Sequence, residues 1–584
     1  MHPADRLAWQ RWTSMALVLL ITSSLVAGCA SARERLPVVD QLRDAGSPAV
    51  DEPRQDVRVR RADVRPPSSL YGAAADEDAR AGAALPENTP SRDIGPDGEM
   101  SVFGSGGAMS DDTELVARLE TLLSAVLAAA DANVSVIIID DAGELVFAHR
   151  PDELMLPAST LKVLTVAAAW HTFGVDGRIP THAEATAQVA ADGTLQGDLV
   201  IVGRGDPTVS TDEYIRWVYP ARPATRLALL ADTIVASGVR YITGNVVGTA
   251  PGFTGPASAE GWLPRYFSDF DARLASGLTV DAGLQTLVTF DNSTAADETG
   301  GMPAGDVIAG DHDAEAALPP LDLDGITPEQ VRVEHAVDPA HQTVVELTRM
   351  LRQRGVHIDG VSVTASEPPP TVRRLASINS VDVQAMGRFA LEHSDNHMAD
   401  GLLRLVGHAR DGSGSFAGGQ AGIASTLREL GVDLGGAVLA DGSGLSRDNA
   451  ISTRMLVETD RVMAAGVYAD EWASSMAIMG KTGTLRRRLV GTVADGRFVG
   501  KTGSLRDVMS INGTVHGDQR SFHLAVIAND TQGEHRWLMR TLMDEIILLV
   551  SAEAADCDAE FAAVESSPAD RTVRLGPLTI SCAA

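Results

Sequence analysis

The stretch Leu156-Pro157-Ala158-Ser159-Thr160-Leu161-Lys162 runs directly into Val163-Leu164-Thr165-Val166-Ala167-Ala168-Ala169-Trp170. Pro157 suits the first turn of a helix, and the uncharged run after it is long enough for three or four turns. A helix apolar on all sides has no face to offer water, so the chain has to fold around it. Ser159 and Lys162 stand three residues apart at its start, which puts their side chains on one face. A hydroxyl is a poor nucleophile until something takes its proton. A lysine amine can do so if its pKa falls from about 10.4 towards neutrality. Burial and a second nearby cation both push it that way, by up to about 3–5 units at full burial.

Alone, S-x-x-K recurs by chance and describes many solvated helix starts. Composition changes its weight. Of 48 Lys+Arg residues only three are lysines: Lys162, Lys481 and Lys501. Arginine cannot act as a base and lysine can. A genomic preference for arginine would explain the low count, but not why all three survivors sit in triplets of catalytic type.

The chain has 584 residues, too many for one domain by the usual prior of about 100–200 residues each. Its formal charge of −30 argues against nucleic acid as a partner. Arg6 and Arg11 precede the apolar stretch Met15–Ile21, and Leu25-Val26-Ala27-Gly28 leads to Cys29. That order resembles a bacterial lipoprotein signal over residues 1–28, with Cys29 lipidated and residues 29–111 a Pro-, Arg- and Asp-rich disordered tether. The expected location is outside the cell membrane or in the periplasm, anchored by lipid; an uncleaved membrane anchor is the alternative. In an exported protein the remaining even pair, Cys557 and Cys582, suggests a disulfide, with free thiols as the alternative.

Folding is expected to begin near Thr113, with a helix over residues 115–130 and a hairpin of Val134–Asp140 and Leu145–Ala148. Residues 176–374 read as an inserted, mostly β region with one clear helix, Arg226–Ser237. From Val381 the pattern turns helical, with a helix expected from Ala399. Strands return around Lys501, and a helix over residues 535–549 closes the fold. The prediction is an α/β domain of residues 112–175 and 375–584, interrupted by the 176–374 insertion.

Three elements stand in order: Ser159-x-x-Lys162, Ser394-Asp395-Asn396 and Lys501-Thr502-Gly503. This trio marks penicillin-binding proteins and serine β-lactamases. With Gly203-Arg204-Gly205-Asp206-Pro207, the Asp441-Gly442-Ser443-Gly444-Leu445-Ser446-Arg447 run and 235 residues between the first two serines, the chain resembles the D-alanyl-D-alanine carboxypeptidase/endopeptidase family of the penicillin-binding-protein-4 type. The resemblance implies a penicillin-binding-protein/β-lactamase-like fold. It also implies covalent binding of β-lactam antibiotics and hydrolysis of peptidoglycan stem peptides through a Ser159 acyl-enzyme, without cofactor or metal.

The resemblance further implies that Lys162 takes the Ser159 proton, Ser394 relays a proton to the leaving amine and Asn396 holds Lys162 or the substrate amide. Lys501 would supply charge that lowers the Lys162 pKa and attracts the terminal carboxylate of the substrate. Thr502, Gly503 and Ser504 would bind substrate, Thr502 by a hydrogen bond to that carboxylate, with the backbone N–H groups of Ser159 and Ser504 as the oxyanion hole. Arg447 would help bind the terminal carboxylate. Lys481-Thr482-Gly483 competes with Lys501 for the third motif, but Gly483-Thr484-Leu485-Arg486-Arg487 fits a segment that precedes it in the family, leaving Lys481 a surface or rim residue. Thr249 stands where the family often has an Asp after a G-N-V strand. A β-lactamase and a non-catalytic penicillin-binding lipoprotein share the motifs and remain alternatives. A P-loop does not, because Ser475 and Asp495 occupy the places of its first glycine. His393 and His397 lack companion ligands for a metal.

Overall fold

A computed structural model describes residues 112–130, 132–288, 331–531 and 533–561, with 564–567, 572–575 and 578–582 in the tail; all belong to one compact unit. The expected signal, Cys29 and the tether lie outside the described residues. The chain begins with helix α1 (Thr113–Ala129), strand β1 (Asn133–Asp140) and strand β2 (Leu145–His149). A single 3₁₀ turn (Ala158–Leu161) leads into α2 (Lys162–Phe173). The middle region holds β3 (Pro180–Ala185), β4 (Leu199–Val202), α3 (Leu227–Ala236), β5 (Val246–Thr249), α4 (Pro339–Gln353), β6 (Ser362–Thr364) and β7 (Arg373–Asn379). Then come α5 (Val383–Glu392), α6 (Asn396–Asp411), α7 (Phe416–Glu429), α8 (Thr453–Ala464), β8 (Ala477–Ile478), β9 (Phe498–Ser504), β10 (Val508–Val515), β11 (Phe522–Asn529) and α9 (Glu534–Ala554).

The first and last strands join one six-stranded antiparallel sheet in the order β8-β9-β10-β11-β1-β2. Side chains alternate across a strand, so β1 sends Ile137 and Ile139 to one face and Val134, Val136 and Ile138 to the other. Helix α2 and helices α5 to α8 cover the first face; α1 and α9 cover the second. Cover on both sides explains why β1 reads as an unbroken apolar run rather than an alternating one. Trp170, at the end of the buried α2, packs against α5, where a Cβ on Gly387 would come within 2.5 Å of the indole nitrogen.

The middle strands form a mixed sheet in the order β6-β5-β4-β3-β7, with β5 parallel to both its neighbours. Helices α3 and α4 close over it, burying Leu227, Leu230, Ile234, Val344, Leu347 and Leu351. Sequence reading left α4 unassigned. Its signals are local: Asp338 caps two backbone N–H groups, Pro339 occupies the first turn, and Val344, Leu347 and Leu351 follow helical spacing. The helix expected from Ala399 starts three residues earlier, at Asn396, because the Asp395 carboxylate accepts from Met398 N at 2.7 Å and serves as its N-cap. In the tail, Cys557–Phe561 pairs with Leu578–Cys582, and Cys557 and Cys582 are joined by a disulfide.

Candidate active site

Ser159 sits in the 3₁₀ turn rather than in α2 itself. With three residues per turn, a 3₁₀ helix places residues i and i+3 directly over one another. Lys162 Nζ therefore donates to Ser159 Oγ at 2.8 Å. The same ammonium donates to Asn396 Oδ1 at 2.7 Å and to the Ser443 carbonyl at 2.6 Å, so all three of its protons are directed. Ser159 is half-buried, while Lys162 is fully buried. The nucleophile is reachable and its base is shielded from water. Ala158, just before it, has φ +49°, a conformation that only a well-packed turn can hold for a residue with a Cβ.

The Asp441–Arg447 run is the strap that packs this turn. Buried Asp441 accepts from the N–H groups of Gly444 (2.8 Å) and Ser446 (2.7 Å), from Asn449 Nδ2 (2.8 Å) and from Trp262 Nε1 (2.8 Å). Gly444 has φ +84°, and a Cβ there would lie 1.9 Å from the Ala158 carbonyl. Glycine is what lets the strap come close enough for Ser443 to receive Lys162.

Asn396, the first residue of α6, also donates through Nδ2 to the Asp271 carbonyl at 2.9 Å, which ties the middle region to the site. Ser394 lies in the turn before α6 with φ +61°, and its Oγ accepts from Lys501 Nζ at 2.9 Å. Lys501 also donates to the Thr502 carbonyl at 2.7 Å. Gly503 faces the nucleophile: a Cβ there would stand 3.0 Å from Ser159 N and 2.7 Å from the Pro157 carbonyl. Strand β9 thus runs beside the Ser159 N–H, and no side chain larger than glycine's fits between them.

Burial lowers the Lys162 pKa from the usual lysine value to about 8, against the opposing pull of Asp400, Asp441, Asp395 and Asp271. Lys501 is also fully buried; burial and the charge of Lys162 hold its pKa well below the usual value. The repulsion between the two ammonium charges is mutual, so each disfavours the charged form of the other. Lys162 also has carboxylates nearby that favour its charge. Asp400, one turn after Asn396, accepts from Gly442 N at 2.9 Å. Its pKa is held well above the carboxylate range by burial and by the neighbouring Asp441 charge.

Several sequence-picked residues land elsewhere. Arg447 does not point free into the site: both its terminal nitrogens donate to Asp507 at 2.8 Å. Lys481 pairs with Asp495 at 2.8 Å and is half exposed. The residue after its triplet, Thr484, accepts at Oγ1 from Thr502 Oγ1 at 2.9 Å. Thr249 is buried in the middle sheet, paired with Val202. His397 packs against Arg222, and His393 stacks on Phe389. Arg222 was missed. It is buried and donates to Asp395 at 2.9 Å and to the Pro207 carbonyl at 2.8 Å, linking the G-x-G-D-P segment to the second motif.

Residues 115–548 match the D-Ala-D-Ala carboxypeptidase 3 (S13) family. The chain belongs to this family. It is a serine-type D-Ala-D-Ala carboxypeptidase, a hydrolase of the penicillin-binding class. The D-alanyl-D-alanine carboxypeptidase of Actinomadura sp. is 28% identical over 477 residues, covering 74% of this chain and 85% of that protein. Carboxypeptidase DacB of Mycolicibacterium smegmatis is 29% identical over 428 residues, covering 70% and 80%. The fold matches the crystal structure of penicillin binding protein 4 from Haemophilus influenzae with a TM-score of 0.58 at 19% identity, over 73% of this chain and 99% of that one.

Proposed function

We propose that this S13 carboxypeptidase removes the terminal D-alanine from peptidoglycan stem peptides through an acyl-enzyme on Ser159, with the roles that follow. Lys162, neutral in a useful fraction because burial brings it near 8, takes the Ser159 proton as Oγ forms a bond to the carbonyl carbon of the penultimate D-alanine. The oxyanion that develops is met by the N–H groups of Ser159 and Ser504, each such donor being worth about 2.7–4 kcal/mol. The C–N bond then breaks, and the leaving amine gains its proton from Ser394, which is resupplied by Lys501. The proton that Lys162 took from Ser159 passes on to the now neutral Lys501, so Lys162 can accept a proton from the water that attacks the ester, and that proton returns to Ser159 Oγ as the C–O bond breaks and the shortened peptide leaves. A β-lactam would enter by the same first step and leave Ser159 acylated.

The observation that carries this reading is the hydrogen bond from a fully buried amine to an accessible hydroxyl, Lys162 Nζ to Ser159 Oγ at 2.8 Å. The test is release of D-alanine from a peptide ending in D-Ala-D-Ala. Wild type should release it and Ser159→Ala should not. Release that survives in Ser159→Ala would defeat the proposal. The endopeptidase branch is tested by the same pair of proteins on a cross-linked dimer.

The reading also places the enzyme outside the cell membrane, held by lipid on Cys29. It rests on the charged, apolar and small-residue succession before that cysteine. Cys29→Ala should move the protein from the membrane fraction to the soluble one. An unchanged distribution would rule lipid anchoring out.

A further inference from the structure

Strand β10 carries polar side chains on the face of the sheet that bears Ser159. Ile511 and Val515 pack on the α1 and α9 side, so alternation puts Ser510, Asn512 and Thr514 on the other. Two of the three are bonded within the protein. Ser510 Oγ donates to the Pro157 carbonyl at 2.5 Å and accepts from Thr160 Oγ1 at 3.2 Å, which seats the turn that holds Ser159. Thr514 Oγ1 donates to Asp460 Oδ2 at 2.8 Å. Asn512, between them, is fully buried, and neither its Oδ1 nor its Nδ2 has a hydrogen-bond partner among the described residues.

A buried amide left so is costly, and leucine would fill a similar volume with no polar group to satisfy. The sheet register shows what stands opposite. Asn512 of β10 pairs directly with Lys501 of β9, and both side chains leave the sheet on the Ser159 face. Residues so placed have Cβ atoms about 4.5–5.5 Å apart. A lysine ammonium has three protons to donate. Lys501 directs two, to Ser394 Oγ at 2.9 Å and to the Thr502 carbonyl at 2.7 Å. An amide without a partner therefore faces an amine with one proton still to place. Rotation of the amide about its last torsion, which has a broad minimum, is enough to aim either of its polar atoms at a neighbour. The charge that acts on Lys501 is that of Lys162, and it repels; Asp271, Asp395, Asp400 and Asp441 act on Lys162 instead. An acceptor beside Lys501 opposes that repulsion.

We propose that Asn512 is a positioning residue for Lys501: its Oδ1 accepts the third proton of the ammonium, and its Nδ2 donates to the lone pair of the neutral amine. One side chain thus serves both forms of a lysine that yields a proton to Ser394 and regains one from Lys162. The part played in turnover rests on the Ser159 reading above; the contact itself does not. A hydrogen bond to the charged form is the stronger of the two, so the net effect of Asn512 is to keep Lys501 charged.

The scarcity of lysine makes the test direct. Lysine labelled with carbon-13 at Cε gives one NMR signal each for Lys162, Lys481 and Lys501, and half-exposed Lys481 serves as internal reference. Their titrations are compared in wild type, Asn512→Leu and Asn512→Asp, with thermal unfolding and D-alanine release recorded for each. In Asn512→Leu, Lys501 should titrate about one pH unit lower, and kcat should fall about ten-fold with KM unchanged. In Asn512→Asp, Lys501 should titrate higher than in wild type. Lys481 should move in neither. A Lys501 titration equal to wild type in folded Asn512→Leu would overturn the proposal even if kcat fell, since lost packing alone can lower activity. If the leucine variant does not fold, Asn512→Asp decides: a Lys501 titration no higher than wild type overturns it. A wild type that releases no D-alanine, while Lys501 still shifts in the variants, is a different result: it defeats the Ser159 reading and upholds the contact.

Discussion

At the scale of single residues, the site turns on one proton shared between Lys162 and Ser159. Only the neutral amine can accept, and burial has lowered its pKa to about 8. Acylation by a penicillin should therefore rise with pH through about 8 and level off above it; a profile flat from pH 6 to 9 would contradict Lys162 as base. Lys162→Arg keeps a cation but removes the base, and should cost about 10²–10⁴-fold in acylation rate. The residues that share this proton were legible in sequence because the chemistry tolerates few alternatives: a serine, a lysine three along, and a chain nearly free of other lysines. Arg222 and Asp271 were not. Both come from the middle region and meet the second motif only through folding, and nothing local to either marks it.

At the scale of elements, the second motif is a helix start. Asp395 caps α6 and also neutralises Arg222, with both side chains almost fully buried. Burial alone would raise the Asp395 pKa, but Arg222, Arg273 and His397 together hold it below the ordinary carboxylate range. Asp395→Ala leaves a buried arginine unpaired and should cost about 3–5 kcal/mol in denaturant unfolding at pH 7. A carboxyl depressed on folding stabilises above its unfolded pKa of about 3.9 and loses that contribution as pH falls further. The gap between wild type and variant should therefore shrink below about pH 4. A gap under 1 kcal/mol at pH 7 would mean that the pair holds nothing together. The helix was mis-started in sequence because the D-N pair was read only as a catalytic motif, although Asp is also among the strongest N-caps. Helix α4 was lost differently: its Asp-Pro cap and apolar spacing were present, but short strands on either side dominated the reading.

At the scale of the molecule, a six-stranded sheet built from both ends of the folded region carries Ser159 beside β9, the second strand in its order, and the middle region reaches back through Asp271 and Arg222 to complete the site. The tail is fastened separately. Cys557, Leu578 and Ile580 pack on the α1 and α9 side of the sheet, and the disulfide closes a loop of 25 residues. Replacing both cysteines by serine should lower stability by up to about 3.5 kcal/mol and leave acylation unchanged. A fall in acylation would place the tail in the catalytic machinery instead. The α/β class and the returning strands were legible because periodicity changes along the chain. How the middle region docks was not, since that contact is made by backbone carbonyls and buried arginines that carry no periodic signal.

The most direct test of the mechanism is intact-mass measurement after incubating the folded protein with a fluorescent penicillin, beside a Ser159→Ala control. One penicilloyl adduct per chain, absent from the variant, is the predicted result. A folded wild type without an adduct, or an adduct that persists in Ser159→Ala, would contradict covalent catalysis by Ser159.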